Sequence, residues 1–102
     1  MPPFIGGITF TDALRRFKLV GWRETGQAGP HCFLEHPRRP GISLNLPDHR
    51  QRDLDPRTLG RAVEMAGLTA EQFRQLTGSG RQRNARSIQR EVYGREVYGM
   101  KD

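Results

Sequence analysis

The sequence predicts a single α+β domain in which a three-stranded antiparallel sheet packs on helices, in the order helix, three strands, helix and a further short helix. Three observations predict this fold. Apolar residues first recur at helical spacing, then follow short runs broken by glycine and proline, and then return to helical spacing. A chain of 102 residues has room for one hydrophobic core.

The first helix is indicated by four apolar residues that share one helical face: Phe10, Ala13, Leu14 and Phe17. Charged residues occupy the opposite face, as is typical of a helix that packs on a core with one side. Thr9 or Thr11 can cap its start, and Gly21 offers the left-handed conformation that ends it.

Three short strands are predicted between residues 22 and 46, because turn residues interrupt the chain there repeatedly. In the third strand, Ile42, Leu44 and Leu46 alternate with polar residues, which gives one buried and one solvent-facing side. The second strand is ambiguous. The side that begins with His31 and the side that begins with Cys32 both mix apolar and ionisable residues, so the pattern leaves open which side meets the core.

Two more helices follow a polar loop. Asp55-Pro56 is an N-cap followed by the proline that favours a first helical turn, and this second helix is expected to end at Gly67. Thr69 opens a third helix, with Gln72 at the capping-box position.

The composition changes at residue 78, where a segment rich in glycine, serine and arginine begins. Such a segment is typical of a linker or tail. It ends in a five-residue near-repeat, residues 90–94 followed by residues 95–99, which is too short for a repeat architecture. We therefore expect a folded domain over residues 1–77 and a basic flexible tail over residues 78–102, which can order on a partner.

The charge of the chain favours a polyanionic partner. Seventeen lysines and arginines against eleven acidic residues give a net charge of +6. Nearly all of these bases are arginines, whose planar guanidinium groups suit phosphate. The single cysteine, Cys32, excludes an internal disulfide framework and is expected to be a small buried residue. Metal-binding spacings are missing from the sequence, so we expect no metal and no cofactor.

No stretch approaches the roughly 20 apolar residues that a membrane-spanning helix needs. The start of the chain also lacks a basic segment followed by a long apolar run. We therefore expect a cytoplasmic protein with no membrane partner.

Six short segments stand in order along the chain. Four lie in the first half: Gly21-Trp22, Gly29-Pro30-His31, Glu35-His36-Pro37-Arg38 and Leu46-Pro47-Asp48-His49. Two lie in the second half, LDPRTL at residues 54–59 and AGLTAEQF at residues 66–73. Together they resemble the HicA-type toxins, a family with a fold like the double-stranded-RNA-binding domain, and the resemblance runs from about residue 8 to residue 76. Pro30 replaces the family's serine, and Cys32 replaces a frequent second histidine.

The resemblance implies a toxin of a type II toxin–antitoxin system. Such a protein is a metal-independent endoribonuclease, an mRNA interferase, which cleaves messenger RNA and is held inactive by a HicB-type antitoxin protein. The catalytic histidine of the family falls on His31. A single imidazole, with an unperturbed pKa of about 6.5, can serve as a general base or a general acid in RNA cleavage.

Basic side chains near the third strand and the second helix are candidates for RNA contacts: Arg38, Arg39, Arg50, Arg52, Arg57 and His49. His36 can also contact phosphate, although the sequence favours a solvated turn histidine. Two alternatives to the nuclease remain open. One is a noncatalytic RNA-binding module of the same fold, and the other is a basic protein-interaction domain.

Overall fold

The computed structural model describes residues 3–48, 52–76 and 82–94. The elements in chain order are α1 Phe10–Leu19, β1 Arg23–Ala28, β2 His31–Glu35, β3 Ser43–Pro47, α2 Pro56–Met65, α3 Ala70–Gln75 and α4 Gln82–Tyr93. The three strands form an antiparallel sheet flanked by helices, which confirms the predicted α+β fold class. Within the described residues, no helix combines the length and the apolar character that crossing a membrane requires.

The sheet has the strand order β1-β2-β3, and its burial pattern resolves the ambiguity of the second strand. Cys32 and Leu34 of β2 are fully buried, as are Leu44 and Leu46 of β3. Side chains alternate along a strand, so His31 lies on the opposite, outer face of the sheet. Cys32 is therefore the buried residue that the sequence predicts.

Helix α1 is set by signals at both ends. The Thr9 hydroxyl accepts a hydrogen bond from the backbone N–H of Asp12 at 3.2 Å, which caps the first turn. Past the last turn, Gly21 has a φ of +102°. A Cβ atom at this position would lie 2.7 Å from Nε2 of His36, so glycine is required both for its backbone conformation and for the close approach of the imidazole.

Helices α2 and α3 begin at the predicted caps. The Asp55 carboxylate accepts a hydrogen bond from the backbone N–H of Thr58 at 3.1 Å. Thr69 and Gln72 form the reciprocal capping box, with hydrogen bonds of 3.0 and 2.9 Å. Each helix then places apolar side chains in the core, among them Leu59, Val63 and Phe73.

The folded region continues past the predicted boundary at residue 77. Ala85, Ile88 and Tyr93 of α4 are buried members of the hydrophobic core. The division into a domain of residues 1–77 and a flexible tail of residues 78–102 is therefore wrong for residues 82–94, because α4 has an apolar stripe that packs on the rest of the protein. The second copy of the near-repeat, at residues 95–99, lies outside the described residues.

Candidate nucleic-acid interface and active site

His31 is the first residue of β2 and is exposed to solvent. It follows the Gly29-Pro30 turn that joins β1 to β2, in which Gly29 has a φ of +59°. Glycine takes this conformation readily, and hairpin turns of two residues need it at their first position. The backbone N–H of Asp48 donates to the Pro30 carbonyl, so the turn is tied to the chain that leaves β3. The sequence-predicted position of His31, at the exposed beginning of a strand, matches this arrangement.

The imidazole of His31 is held by Asn45 of the neighbouring strand. Its Nδ1 atom lies 3.1 Å from the Asn45 side-chain oxygen, which accepts the hydrogen bond. In the neutral ring this assigns the proton to Nδ1 and the lone pair to Nε2. A histidine with this hydrogen bond carries its basic lone pair on Nε2, which is the nitrogen that general-base catalysis would use.

An open groove lies between β3 and α2. We call it the β3–α2 groove. Its volume is about 380 Å³, and its lining residues are Ser43, Asn45, Arg57, Thr58, Arg61, Ala62 and Met65. Among the residues that the structure describes, the lining contains two arginines and no acidic residue. Asn45 belongs both to this lining and to the hydrogen bond with His31, so the groove and the histidine adjoin each other.

Of the predicted RNA contacts that the structure describes, Arg57 lines the β3–α2 groove. It is exposed in the first turn of α2. The Asp55 carboxylate already accepts hydrogen bonds from the backbone N–H and the hydroxyl of Thr58. The end of the helix is thereby occupied by an acidic cap, so the positive charge of the groove comes from arginine side chains rather than from free helix N–H groups.

Arg38, Arg39 and Arg52, the other predicted RNA contacts in the described part of the chain, do not line this groove. Arg38 is exposed in the turn after β2, and Arg52 is exposed in the loop before α2. Arg39 donates a hydrogen bond to the Met65 carbonyl at 3.0 Å, so it caps the end of α2. His49 and Arg50 lie outside the described residues.

His36 differs from the expectation of a solvated turn histidine. Only 2% of its surface is exposed. Its Nε2–H donates to the Val20 carbonyl at 2.9 Å, and its Nδ1 accepts the backbone N–H of Arg38 at 3.0 Å. The ring stacks on Tyr93 with 4.1 Å between ring centroids. Neither a solvated position nor a phosphate contact is compatible with these bonds, so His36 is a structural residue.

Burial holds the pKa of His36 below its ordinary value of 6.5, and the nearby arginines lower it further. Protonation would also remove the lone pair at Nδ1 that accepts the Arg38 N–H. Since the unfolded chain binds this proton more tightly than the folded chain does, the free energy of unfolding is highest above about pH 6.5 and decreases as the pH falls below it.

We therefore expect acid destabilisation that depends on His36. The free energy of unfolding should fall between about pH 8 and about pH 5 in urea titrations. His36→Gln keeps an N–H donor but does not titrate, so its stability should change less over the same range, whatever its absolute value. If the free energy of unfolding depended on pH equally in the two proteins, this account would be contradicted, because they differ only at residue 36.

Cys32 is not a candidate nucleophile. Its thiol donates to the Glu24 carboxylate at 3.3 Å. Burial, together with this carboxylate, raises the pKa of the thiol to about 11, which keeps it protonated. In the part of the chain that the structure describes, no group of three or more histidine, cysteine, aspartate or glutamate side chains is placed to hold a metal ion.

Two residues of the site were missed by the sequence reasoning, Asn45 and Arg61. Each has a sequence pattern that could have indicated it. Asn45 lies on the polar side of the alternating third strand, beside the strand that begins with His31. Arg61 follows Arg57 by four residues, which places the two on one face of a helix.

Comparison of the chain with protein-family models, with curated proteins and with solved structures finds no match.

Proposed function

We propose that this protein is a metal-independent endoribonuclease of the HicA toxin type, with His31 as its catalytic residue. The observation that supports the proposal most directly is the exposed His31 imidazole, which Asn45 orients at the edge of a groove that carries two arginines. Such a site combines a group that transfers protons near neutral pH with cations that attract phosphate.

The chemistry would run through the ribose 2′-hydroxyl. Nε2 of His31 takes the hydroxyl proton as the 2′-oxygen attacks the adjacent phosphorus, and a new P–O2′ bond forms. The P–O5′ bond then breaks, and the leaving 5′-oxygen receives a proton from the imidazolium. The products are a 2′,3′-cyclic phosphate and a 5′-hydroxyl end. Arginine guanidinium groups near the phosphate stabilise the charge that accumulates on its oxygens.

The substrate and the partner are proposed on the resemblance to HicA toxins. Messenger RNA is the expected substrate, and a HicB-type antitoxin is the expected inhibitory protein, with both in the cytoplasm. The net charge of +6 is consistent with a polyanionic substrate and with a partner that covers the basic surface.

The proposal is tested by incubating the purified protein with a mixed-sequence RNA in excess chelator. We expect cleavage that the chelator does not reduce, with cyclic phosphate at the new 3′ ends. An RNA with a 2′-deoxy nucleotide at a cleaved position should stay intact there, because the nucleophile is absent. Binding of RNA without cleavage would replace the nuclease by a noncatalytic RNA-binding module, and cleavage that requires a metal ion would contradict the mechanism.

A further inference from the structure

The β3–α2 groove differs from a flat basic surface because it has both polar and apolar parts. Ser43, Asn45 and Thr58 supply hydroxyl and amide groups along its walls. Ala62 and Met65 supply the apolar part. Met65 is one of the large hydrophobic side chains that remain exposed, at 37% of its surface.

Two guanidinium groups border this groove. Arg57 and Arg61 are exposed and lie one helical turn apart on α2, so their side chains project from one face of the helix. Neither forms an ion pair with any acidic side chain in the described residues. A pair of unneutralised guanidinium groups on one face matches the geometry of a phosphate group, which each can contact with two hydrogen bonds.

The apolar part suits a flat ring. The thioether of methionine is polarizable and flexible, so it packs well on an aromatic surface. A volume of about 380 Å³ lies within the range of pockets that hold small ligands and is comparable with one nucleotide unit. Walls that carry hydroxyl and amide groups can bond to the edges of a base or to a ribose hydroxyl.

We infer that the β3–α2 groove is a subsite for one unpaired nucleotide, with its phosphate at Arg57 and Arg61 and its base against Met65. The identity of the ligand as RNA rests on the proposed nuclease function. Since Asn45 joins the groove to His31, this nucleotide adjoins the phosphate that is cleaved. A base engaged in a duplex cannot reach the apolar part of the groove, so the substrate is single-stranded at this position.

The binding test uses a labelled, single-stranded oligoribonucleotide with 2′-O-methyl groups, which His31 cannot cleave because the nucleophile is blocked. Arg61→Ala should weaken its binding by about tenfold or more and should reduce the salt dependence by about 0.7 in the log–log slope, as loss of one phosphate contact does. Met65→Ala should weaken binding and leave this slope unchanged. The matched control is Arg74→Ala, which removes the same charge from an exposed site on α3 outside the groove.

Equal effects of Arg61→Ala and Arg74→Ala on affinity and on the salt slope would overturn the inference, because they would reduce the groove to general electrostatic attraction. Duplex RNA that binds as tightly as the single strand, with the same dependence on Arg61, would also overturn it.

The 2′-O-methyl probe separates the test of this subsite from the test of the nuclease proposal. If wild-type protein binds the probe through the groove but leaves unmodified RNA intact, the subsite stands and the nuclease function fails. If unmodified RNA is cleaved without any dependence on Arg61 or Met65, the nuclease function stands and the subsite fails.

Discussion

Replacing His31 with alanine is expected to reduce the rate of RNA cleavage by about 10²–10⁴-fold, the range that a positioned general acid or base contributes. The expected loss is in the chemical step, because the imidazole transfers protons and does not carry the positive charge of the groove. Binding of RNA should therefore change little. Stability should also be preserved, since the side chain is exposed and its ring is hydrogen-bonded to another exposed residue, Asn45.

The measurement is a single-turnover cleavage rate for wild type and His31→Ala, with the urea midpoint as a check on folding. Gln27→Ala is a matched control, because Gln27 is an exposed residue of the same hairpin whose amide contacts Asp48. Its cleavage rate should stay close to that of wild type. An unchanged rate for His31→Ala would remove His31 from the mechanism.

The parts of the fold that the sequence predicted are those set by local signals. Helix α1 follows from a spacing of apolar residues within ten positions, and α2 and α3 follow from the caps at Asp55 and Thr69. In β3 the alternation around Leu44 identifies the buried side. Each of these features depends on residues within one or two turns of each other, so no knowledge of the tertiary structure is needed.

Helix α4 was not predicted, because its composition favours a flexible tail although its apolar residues have helical spacing. The segment follows glycine and serine and is rich in arginine, which favours an exposed tail. Ala85, Ile88 and Val92 nevertheless fall at i, i+3 and i+7 on one helical face. The stripe is short, and its stability depends on a surface that residues far along the chain provide, so the helix could be recognised only with its packing partners in place.

The candidate site could likewise be predicted only where local sequence signals decide whether a side chain is exposed. The turn before His31 correctly indicated an exposed position, whereas the turn after His36 gave the same indication and was misleading. The difference lies in Tyr93, which is 57 residues away from His36 in sequence and stacks on its ring. Arg39 and Arg57 likewise look equivalent in the sequence, but Arg39 is used by the Met65 carbonyl and Arg57 is left to line the groove.

Among the α4 side chains that the structure describes, that of Tyr93 is expected to make the largest contribution to stability. Its hydroxyl accepts a hydrogen bond from the Trp22 indole N–H at 2.8 Å and donates one to the Ala66 carbonyl at 2.7 Å. Burial raises the pKa of this hydroxyl to about 12, so it remains protonated and able to donate. Tyr93 thus links three parts of the fold: α4, the residue before β1 and the end of α2.

Tyr93→Ala should lower the free energy of unfolding by about 3–5 kcal/mol, because it leaves a cavity beside Trp22. Tyr93→Phe keeps the ring and should cost about 1–3 kcal/mol, since the buried indole N–H loses its acceptor. A chain that ends at residue 77 should be destabilised at least as much as Tyr93→Ala, because it loses Tyr93 together with the buried Ala85 and Ile88. Urea denaturation followed by tryptophan fluorescence measures all three, with the exposed Glu91→Ala as the matched control on the same helix.

If the shortened chain unfolded at the wild-type urea concentration, α4 would add nothing to the fold and the domain would end where its composition changes. If the free energy of unfolding instead falls stepwise from Tyr93→Phe to Tyr93→Ala to the shortened chain, α4 is an integral part of the core. Such a series requires that the hydroxyl, the ring and the remaining apolar stripe of a packed helix each contribute to stability.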